Sequence, residues 1–172
     1  MPKLSNRVQT FTDSVIRRMT RISDEYGAIN LSQGFPDFPP PKAITDRLKE
    51  VAGEGPHQYS VTFGAENFRE ALAEKAAPRL GHEVNPDEEV LVTCGGTEAM
   101  MSAMMTICNP GDRVIVFSPF YENYGADAIL SGAEPIFVPL VPPDYHFDPE
   151  QIEAGFRQGA KALIVCNPAN PC

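Results

Sequence analysis

Apolar positions follow two patterns along this chain of 172 residues, and each pattern predicts its own kind of element. Spacings of three and four residues predict amphipathic helices, whereas short runs rich in Val, Ile and Leu predict buried strands. Helices are expected at about residues 43–51, 67–80, 97–107 and 121–131, with one more beginning at Pro149. Strands are expected at residues 89–93, 113–117, 135–139 and 161–166. Strand and helix alternate from residue 89 onward, which is the pattern of an α/β fold.

The start of the chain holds a further helix signal within a basic segment. Thr12 or Asp13 is a suitable N-cap, and Val15, Met19 and Ile22 repeat on one helical face. A basic, acid-poor start is also typical of an organelle transit peptide. The regular apolar face favours the amphipathic helix.

Several local signals add detail to the second half. Asn109–Asp112 predicts a type II turn with Gly111 at positive φ, and Asp148 predicts an N-cap with Pro149 in the first helical position. Four residues at helical spacing are expected in the core and not in a cofactor site: Met100, Ala103, Met104 and Ile107.

Short strands separated by helices indicate a mainly parallel sheet with helices on both faces, a three-layer helix–sheet–helix arrangement. Right-handed crossovers place the carboxyl ends of all strands at one edge, where α/β proteins bind ligands. The segments at this edge are residues 93–98, 118–124, 138–143 and 167–172. We therefore expect any site in these segments.

Charge and composition narrow the function classes. The net charge is −9, with 14 basic and 23 acidic residues, which disfavours binding to nucleic acid. No apolar run approaches the roughly 18 residues of a membrane span. The three histidines and four cysteines show no metal-ligand or disulfide spacing, so no metal site is indicated and a cytoplasmic location is expected.

Gly95, Gly96 and Thr97 join a predicted strand to a predicted helix. Two glycines let a ligand approach the backbone, and the helix start presents unpaired N–H groups, as in phosphate sites. The segment matches neither of the common nucleotide-binding motifs, which makes a Rossmann dehydrogenase the weakest enzyme hypothesis. A glycine-containing turn with Thr97 as N-cap explains the same residues, and both interpretations stay open.

Aromatic and amide side chains occupy the same predicted edge. Tyr121 lies in an aromatic loop that either stacks on a flat heterocycle or packs the loop itself. Asn167 and Asn170 each precede a proline, and a following proline restricts an asparagine to extended backbone. The side-chain amide is then either a fixed donor to a ligand or part of a turn.

Taken in order, these segments resemble the class I/II aminotransferases, pyridoxal-phosphate enzymes of fold type I, from about residue 12 to residue 172. The resemblance is to the branch that holds kynurenine/glutamine and methionine aminotransferases. Leu31–Phe38 (LSQGFPDF) is similar to that branch's substrate loop, and Gln58–Gly64 (QYSVTFG) to its interface loop. The resemblance implies amino acid and 2-oxo acid substrates, pyridoxal 5′-phosphate as cofactor, and a homodimer.

The resemblance also implies cofactor roles for individual residues. Gly95, Gly96 and Thr97 would hold the phosphate, Tyr121 would stack on the pyridine ring, and Asn170 would bond the phenolic oxygen.

Two further roles are implied outside the predicted sheet edge. Tyr59 would reach the cofactor phosphate of the neighbouring subunit, and the backbone N–H of Gly34 would bind the substrate carboxylate. In domain terms, residues 1–34 would form an N-terminal helical arm and the start of the small domain, and residues 35–172 the first part of the large domain.

The family's chemistry needs a Schiff-base lysine, an aspartate at the pyridine nitrogen and an arginine for the substrate, all beyond the Asn-Pro motif. None of the five lysines is a credible Schiff-base residue, so no catalytic residue is assigned: Lys3, Lys42, Lys49, Lys75 and Lys161. We therefore expect an N-terminal fragment of an aminotransferase with an incomplete large domain, inactive and aggregation-prone alone because sheet edges stay unpaired.

Two alternatives share the same residues. A carbon–sulfur β-lyase of the same fold would use the same cofactor site. A non-catalytic truncated module would instead dock on a full-length subunit through the face that carries Tyr59.

Overall fold

The structure, a computed structural model, describes residues 3–10, 13–55, 57–59 and 61–170. They form two compact units, each described by itself. The described parts of residues 15–93 form the helical unit, and those of residues 1–14 and 94–172 form the sheet unit. The boundary after residue 34 that the resemblance implies concerns the complete fold of the family and stays a prediction.

Three helices build the helical unit: α1 Val15–Tyr26, α2 Lys42–Val51 and α3 Glu66–Leu80. All three confirm the helices expected from the apolar spacing. Helix α1 begins at Val15, so Asp13 is not the residue next to it, and Thr12 lies outside the described residues. None of the residues of α1 is buried, and Val15, Met19 and Ile22 of its apolar face are all exposed.

Arg69 of α3 fixes the end of the loop that carries Tyr59. Its side chain is buried, with Nε donating to the Gly64 carbonyl at 3.1 Å and Nη1 to the Pro86 carbonyl at 2.7 Å. The Asp87 carboxylate, 2.5 Å from Nη1, balances the charge. A buried guanidinium is tolerated because its donors are satisfied in this way.

The expected strand at residues 89–93 is wrong, because the structure has no strand in this segment. Branched residues such as Val90 and Val92 favour extended backbone, but a strand also needs a neighbour to pair with. The Val92 N–H donates to the Phe63 carbonyl at 3.0 Å, a single bond to a loop. The run of branched residues therefore predicts the backbone conformation of residues 89–93 but not whether they pair with another strand.

The sheet unit begins with a 3₁₀ helix, Asn6–Thr10, and continues with α4 Gly95–Ile107, β1 Arg113–Ser118, α5 Asn123–Leu130, β2 Glu134–Pro139, α6 Pro149–Arg157 and β3 Ala160–Ile164. The strands lie in the order β2–β1–β3 and both pairs are parallel. The mainly parallel α/β sheet is therefore confirmed, with three strands among the described residues where four were expected. Strand β3 ends at Ile164, two residues earlier than predicted, because its pairing with β1 stops there.

The central strand β1 packs against helices on both of its faces. Val114 and Val116 point to one face, where they meet Met104 of α4 and Ala128 of α5 in the main core cluster. Ile115 points to the opposite face and lies against α6. All three β1 residues are fully buried. Successive side chains of a strand point to opposite faces of the sheet, so the consecutive apolar residues of β1 pack on both sides. This packing confirms the expected layers of helix, sheet and helix.

The local signals of the second half meet mixed outcomes. Asp112 N–H donates to the Asn109 carbonyl at 3.0 Å with Gly111 at φ +90°, so the type II turn is confirmed. Asp148 accepts the Glu150 N–H and caps α6 as predicted. Met104 is buried in the core as expected, and Met100 is partly buried against it. Met100 also lines the cavity described below, so its exclusion from the site was wrong. Ala103 and Ile107 are exposed, and their core prediction was wrong.

Within the described residues, no helix reaches the length and apolar character that crossing a membrane requires.

Gly155 supplies a direct test of the packing between α6 and β1. A Cβ at this position would lie 2.7 Å from Ile115 Cδ1, and Ile115 is fully buried. We predict that Gly155→Ala lowers the free energy of unfolding by about 1–3 kcal/mol through overpacking. Helix propensity alone predicts the opposite sign, a gain of about 1 kcal/mol. Urea unfolding measures the difference.

The matched control is Gly53→Ala, where the nearest atom to a new Cβ is the Glu50 carbonyl oxygen at an ordinary 3.6 Å. This control should leave stability nearly unchanged. A Gly155→Ala chain more stable than the wild type would contradict the packing described for α6.

Candidate functional site

A cavity of about 340 Å³ lies in the sheet unit, beyond the carboxyl ends of β1 and β3. Its wall combines the start of α4, the loop and helix that follow β1, and the segment after β3. The lining residues are Gly96, Thr97, Met100, Tyr121, Asn123, Tyr124, Asp127 and Asn170. The sheet edge at which a site was expected therefore does hold a cavity.

Four of the residues assigned to the cofactor by resemblance meet in this cavity: Gly96, Thr97, Tyr121 and Asn170. Gly95 precedes Gly96 as the first residue of α4. The structure thus brings together residues that are up to 74 positions apart in the chain. Their individual roles toward a cofactor stay predictions.

The start of α4 contributes Gly96, which has no side chain, and Thr97 to the cavity wall. Gly95 has φ +81°, a conformation that glycine adopts without strain. Apart from the adjoining residues and the backbone of α4 itself, no described atom lies within 4 Å of the point that a Cβ on Gly96 would occupy, so the space beside this glycine is open. The first N–H groups of a helix have no partner inside the helix. They are therefore suited to bind an anion that enters this space.

Thr97 is not the N-cap of α4, contrary to one of the two interpretations left open by the sequence. The helix begins two residues earlier, with Cys94 as the N-cap and without a side-chain cap bond. The carboxylate of Glu98 instead accepts the backbone N–H of Cys94. Thr97 is displaced into the first turn because both glycines join the helix. Its hydroxyl is thereby directed to the cavity.

Asn123 is the residue that fixes Thr97, and the sequence analysis did not assign it to the site. Its amide Nδ2 donates to Thr97 Oγ1 at 2.7 Å and joins the first turn of α5 to that of α4. With its oxygen accepting from Asn123, the Thr97 hydroxyl keeps its own proton to donate elsewhere. The signal in the sequence was the position of Asn123, at a helix start two residues after Tyr121.

The aromatic loop places its rings in two different surroundings. Phe120 stacks on Phe137 with centroids 5.1 Å apart, so this ring packs the sheet. Tyr121 lines the cavity and meets Tyr124 edge to face at 5.8 Å. The hydrogen bond with Cys166 and then burial raise the pKa of Tyr124, which keeps that phenol neutral.

Asp127 is a second residue that the sequence analysis missed. It lies one helical turn after Asn123 on α5, lines the cavity, and is only 3% exposed. Burial raises the pKa of its carboxyl. An acidic residue in a helix of small and apolar neighbours was the only signal in the sequence.

Gly34 and Tyr59 belong to the helical unit. Gly34 lies in an exposed loop with open space where a Cβ would be, and Tyr59 is 89% exposed. Their roles toward substrate and partner subunit stay predictions.

The family model for "Aminotransferase class I and II" matches residues 26–172. This chain is a member of that family. The resemblance deduced from its motifs is confirmed, and so is fold type I.

Individual relatives agree with this assignment. A methionine aminotransferase of Escherichia coli strain K12 is 34% identical over 158 residues, 92% of this chain and 41% of that protein. The human kynurenine–oxoglutarate transaminase 1 is 34% identical over 164 residues, 88% of this chain and 39% of that protein. The chain thus spans less than half the length of these relatives.

Solved structures of the family superpose closely on the chain. A methionine aminotransferase from Escherichia coli gives a TM-score of 0.90 at 31% identity, covering 99% of this chain and 45% of that one. An N-succinyldiaminopimelate aminotransferase from Mycobacterium tuberculosis gives 0.88 at 32% identity, covering 98% and 44%. The fold of the family therefore extends over nearly all of this chain.

The residues of the cavity fit pyridoxal 5′-phosphate, the cofactor that the family implies. Backbone N–H groups and the Thr97 hydroxyl suit a phosphate, the Tyr121 ring suits a flat heterocycle, and the Asn170 amide suits a phenolic oxygen. The volume lies within the usual range for small-molecule sites, roughly 300–1,000 Å³.

Gly96→Ala tests whether the open space over α4 is a binding space. The added methyl meets no described atom outside its own stretch of helix, so we expect thermal unfolding to stay nearly unchanged. It would obstruct the approach of a phosphate to the helix N–H groups. Loss of one hydrogen bond to a charged group corresponds to about a tenfold or greater rise in the dissociation constant. Fluorescence titration with pyridoxal 5′-phosphate measures this constant.

The Gly53→Ala chain again serves as control and should bind as the wild type does. An unchanged affinity in Gly96→Ala would show that the ligand does not approach the backbone here.

Proposed function

We propose that this chain supplies the phosphate end of the cofactor site of a pyridoxal-phosphate-dependent aminotransferase, which moves an amino group from an amino acid to a 2-oxo acid. The observation that carries the proposal is the meeting of Gly96, Thr97, Tyr121 and Asn170 in one cavity. Family membership supports the reaction class.

Five of the lining residues have a binding or orienting part in this proposal: Gly96, Thr97, Tyr121, Asn123 and Asn170. The N–H groups at the start of α4 and the Thr97 hydroxyl hold the phosphate, and Asn123 keeps that hydroxyl in place through its 2.7 Å bond. The face of Tyr121 limits movement of the ring, and Asn170 donates to its phenolic oxygen. The cofactor, when bound, supplies an aldehyde that accepts the amino group and a ring that stabilises negative charge at Cα.

The reaction also needs a lysine amine, and none of the described lysines lines the cavity. Lys161 lies at the start of β3, where its Nζ pairs with Asp112 at 3.0 Å, far along the strand from the carboxyl edge. Lys42 and Lys49 both pair with Asp46 on α2. Lys3 and Lys75 are exposed and absent from the cavity lining. We propose that the Schiff-base lysine comes from a polypeptide segment outside these 172 residues.

The proposal extends to the partner. Tyr59, almost fully exposed, is the side chain that we propose to enter the site of a second subunit in a cytosolic homodimer. A β-lyase would use the same residues, and product analysis separates the two: an oxo acid alone indicates transamination, whereas ammonia and a thiol besides indicate lyase activity.

We predict that the 172-residue chain binds pyridoxal 5′-phosphate reversibly and neither transaminates nor forms a one-to-one imine. Borohydride reduction followed by peptide mass spectrometry should find no stoichiometric pyridoxyl-lysine at a single position. A longer polypeptide that contains this chain and a family-type lysine should show both the modified lysine and turnover.

Turnover by the 172-residue chain alone would contradict the assignment of the lysine to another segment. Failure of both proteins to bind the cofactor would contradict the proposed function itself.

A further inference from the structure

The buried guanidinium of Arg69 joins two loops of the helical unit, and the proposed function gives it no part. Arg69 is the fourth residue of α3, and only 6% of its surface is exposed. Its Nε donates to the Gly64 carbonyl at 3.1 Å, and its Nη1 donates to the Pro86 carbonyl at 2.7 Å and to the Asp87 carboxylate. One side chain thus holds two segments that are 22 positions apart in the chain.

The same two segments meet a second time at Val92. The Phe63 carbonyl accepts the Val92 N–H at 3.0 Å. Gly64 lies so close to Val92 that a Cβ on this glycine would stand 2.5 Å from Val92 Cγ2. Gly64 has φ +108°, and its N–H closes a turn on the Val61 carbonyl at 2.9 Å. The turn is therefore held between Arg69 on one side and Val92 on the other.

This joint lies next in sequence to the site that the proposed function assigns to a phosphate. Val92 precedes Gly95, the first residue of α4, with only two residues between them. A shift of Val92 therefore moves the backbone that enters α4. The Val61–Gly64 turn follows Tyr59 in the chain, so the joint also fixes the end of the loop that carries this tyrosine.

An arginine is well suited to restrain two loops at once. Its planar guanidinium presents five donors in a fixed fork, so a single group can hold two carbonyls and a carboxylate at set angles. A buried charge that loses its partners is costly. The guanidinium of Arg69 consequently opposes any movement that separates Gly64 or Pro86 from it.

We propose that Arg69 is a positioning residue of the phosphate site: it holds the Val61–Gly64 turn against Val92 and thereby fixes the backbone that enters α4. The nature of the ligand rests on the proposed function. Arg69 does not line the cavity, so its effect on binding passes through Gly64 and Val92 and not through contact with the ligand.

The test compares pyridoxal 5′-phosphate with pyridoxal, which lacks the phosphate, in the full 172-residue chain. Arg69→Met keeps an apolar stem but removes every donor. We expect the dissociation constant for pyridoxal 5′-phosphate to rise about tenfold and that for pyridoxal to change less than about threefold. A purely structural role predicts instead that both ligands lose affinity equally, because general loosening also affects the ring contacts.

Two control variants separate positioning from stability. Asp87→Asn removes the counter-charge of Arg69 but leaves both carbonyl bonds in place. It should lower the thermal unfolding midpoint, whereas the affinity for pyridoxal 5′-phosphate should stay within about threefold of wild type. Arg79→Met makes the same chemical change as Arg69→Met in the exposed last turn of α3 and should alter neither quantity.

Hydrogen exchange reports the restraint without any ligand. In Arg69→Met the amides of Gly64 and Val92 should exchange faster than in wild type, because their hydrogen bonds belong to the joint. The buried amides of Val114 and Ile115 in β1 should keep their wild-type rates. If Arg69→Met does not fold, Arg69→Lys replaces it, since lysine keeps the charge but not the fork and should show the same selective loss.

Equal loss of affinity for both ligands would overturn the proposal, and so would an unchanged affinity for pyridoxal 5′-phosphate. If the wild-type chain does not bind pyridoxal 5′-phosphate, the proposed function fails, and hydrogen exchange alone decides the role of Arg69. Faster exchange confined to Gly64 and Val92 would then support the restraint, whereas unchanged exchange at both would overturn it.

Discussion

The parallel pairing of β1 with both β2 and β3 is the constraint on which the rest of the sheet unit depends. Because the strands run the same way, the segments after β1 and β3 leave the sheet at one edge. The complete burial of Val114, Ile115 and Val116 holds β1 in the centre, with helices on both faces. Tyr121 and Asn170 reach one cavity as a result, although 48 residues separate them.

A second feature turns this edge into a binding site. The space beside Gly96 at the start of α4 is free of other elements, and the bond from Asn123 to Thr97 fixes that turn against α5. The cavity thereby gains donors whose positions are set by helix geometry and not by flexible side chains. Preorganised donors of this kind favour an anion without further rearrangement.

Much of this arrangement could be predicted from the sequence because the signals are local. Val/Ile/Leu runs, the Asn109–Asp112 turn and the Asp148 cap depend on neighbours along the chain, and the structure confirms them. The strand predicted at residues 89–93 was wrong because a strand needs a pairing partner, which no local sequence pattern reveals. Asn123 and Asp127 were missed for a related reason: their importance comes from contacts across the fold, with Thr97 and with the cavity.

The most direct measurement of the central claim is a crystal structure of this chain, or of a longer polypeptide containing it, with pyridoxal 5′-phosphate bound. The account predicts the phosphate within hydrogen-bond distance of the backbone nitrogens of Gly96 and Thr97, with the ring against Tyr121. A phosphate bound elsewhere, with the start of α4 in contact with solvent alone, would contradict it.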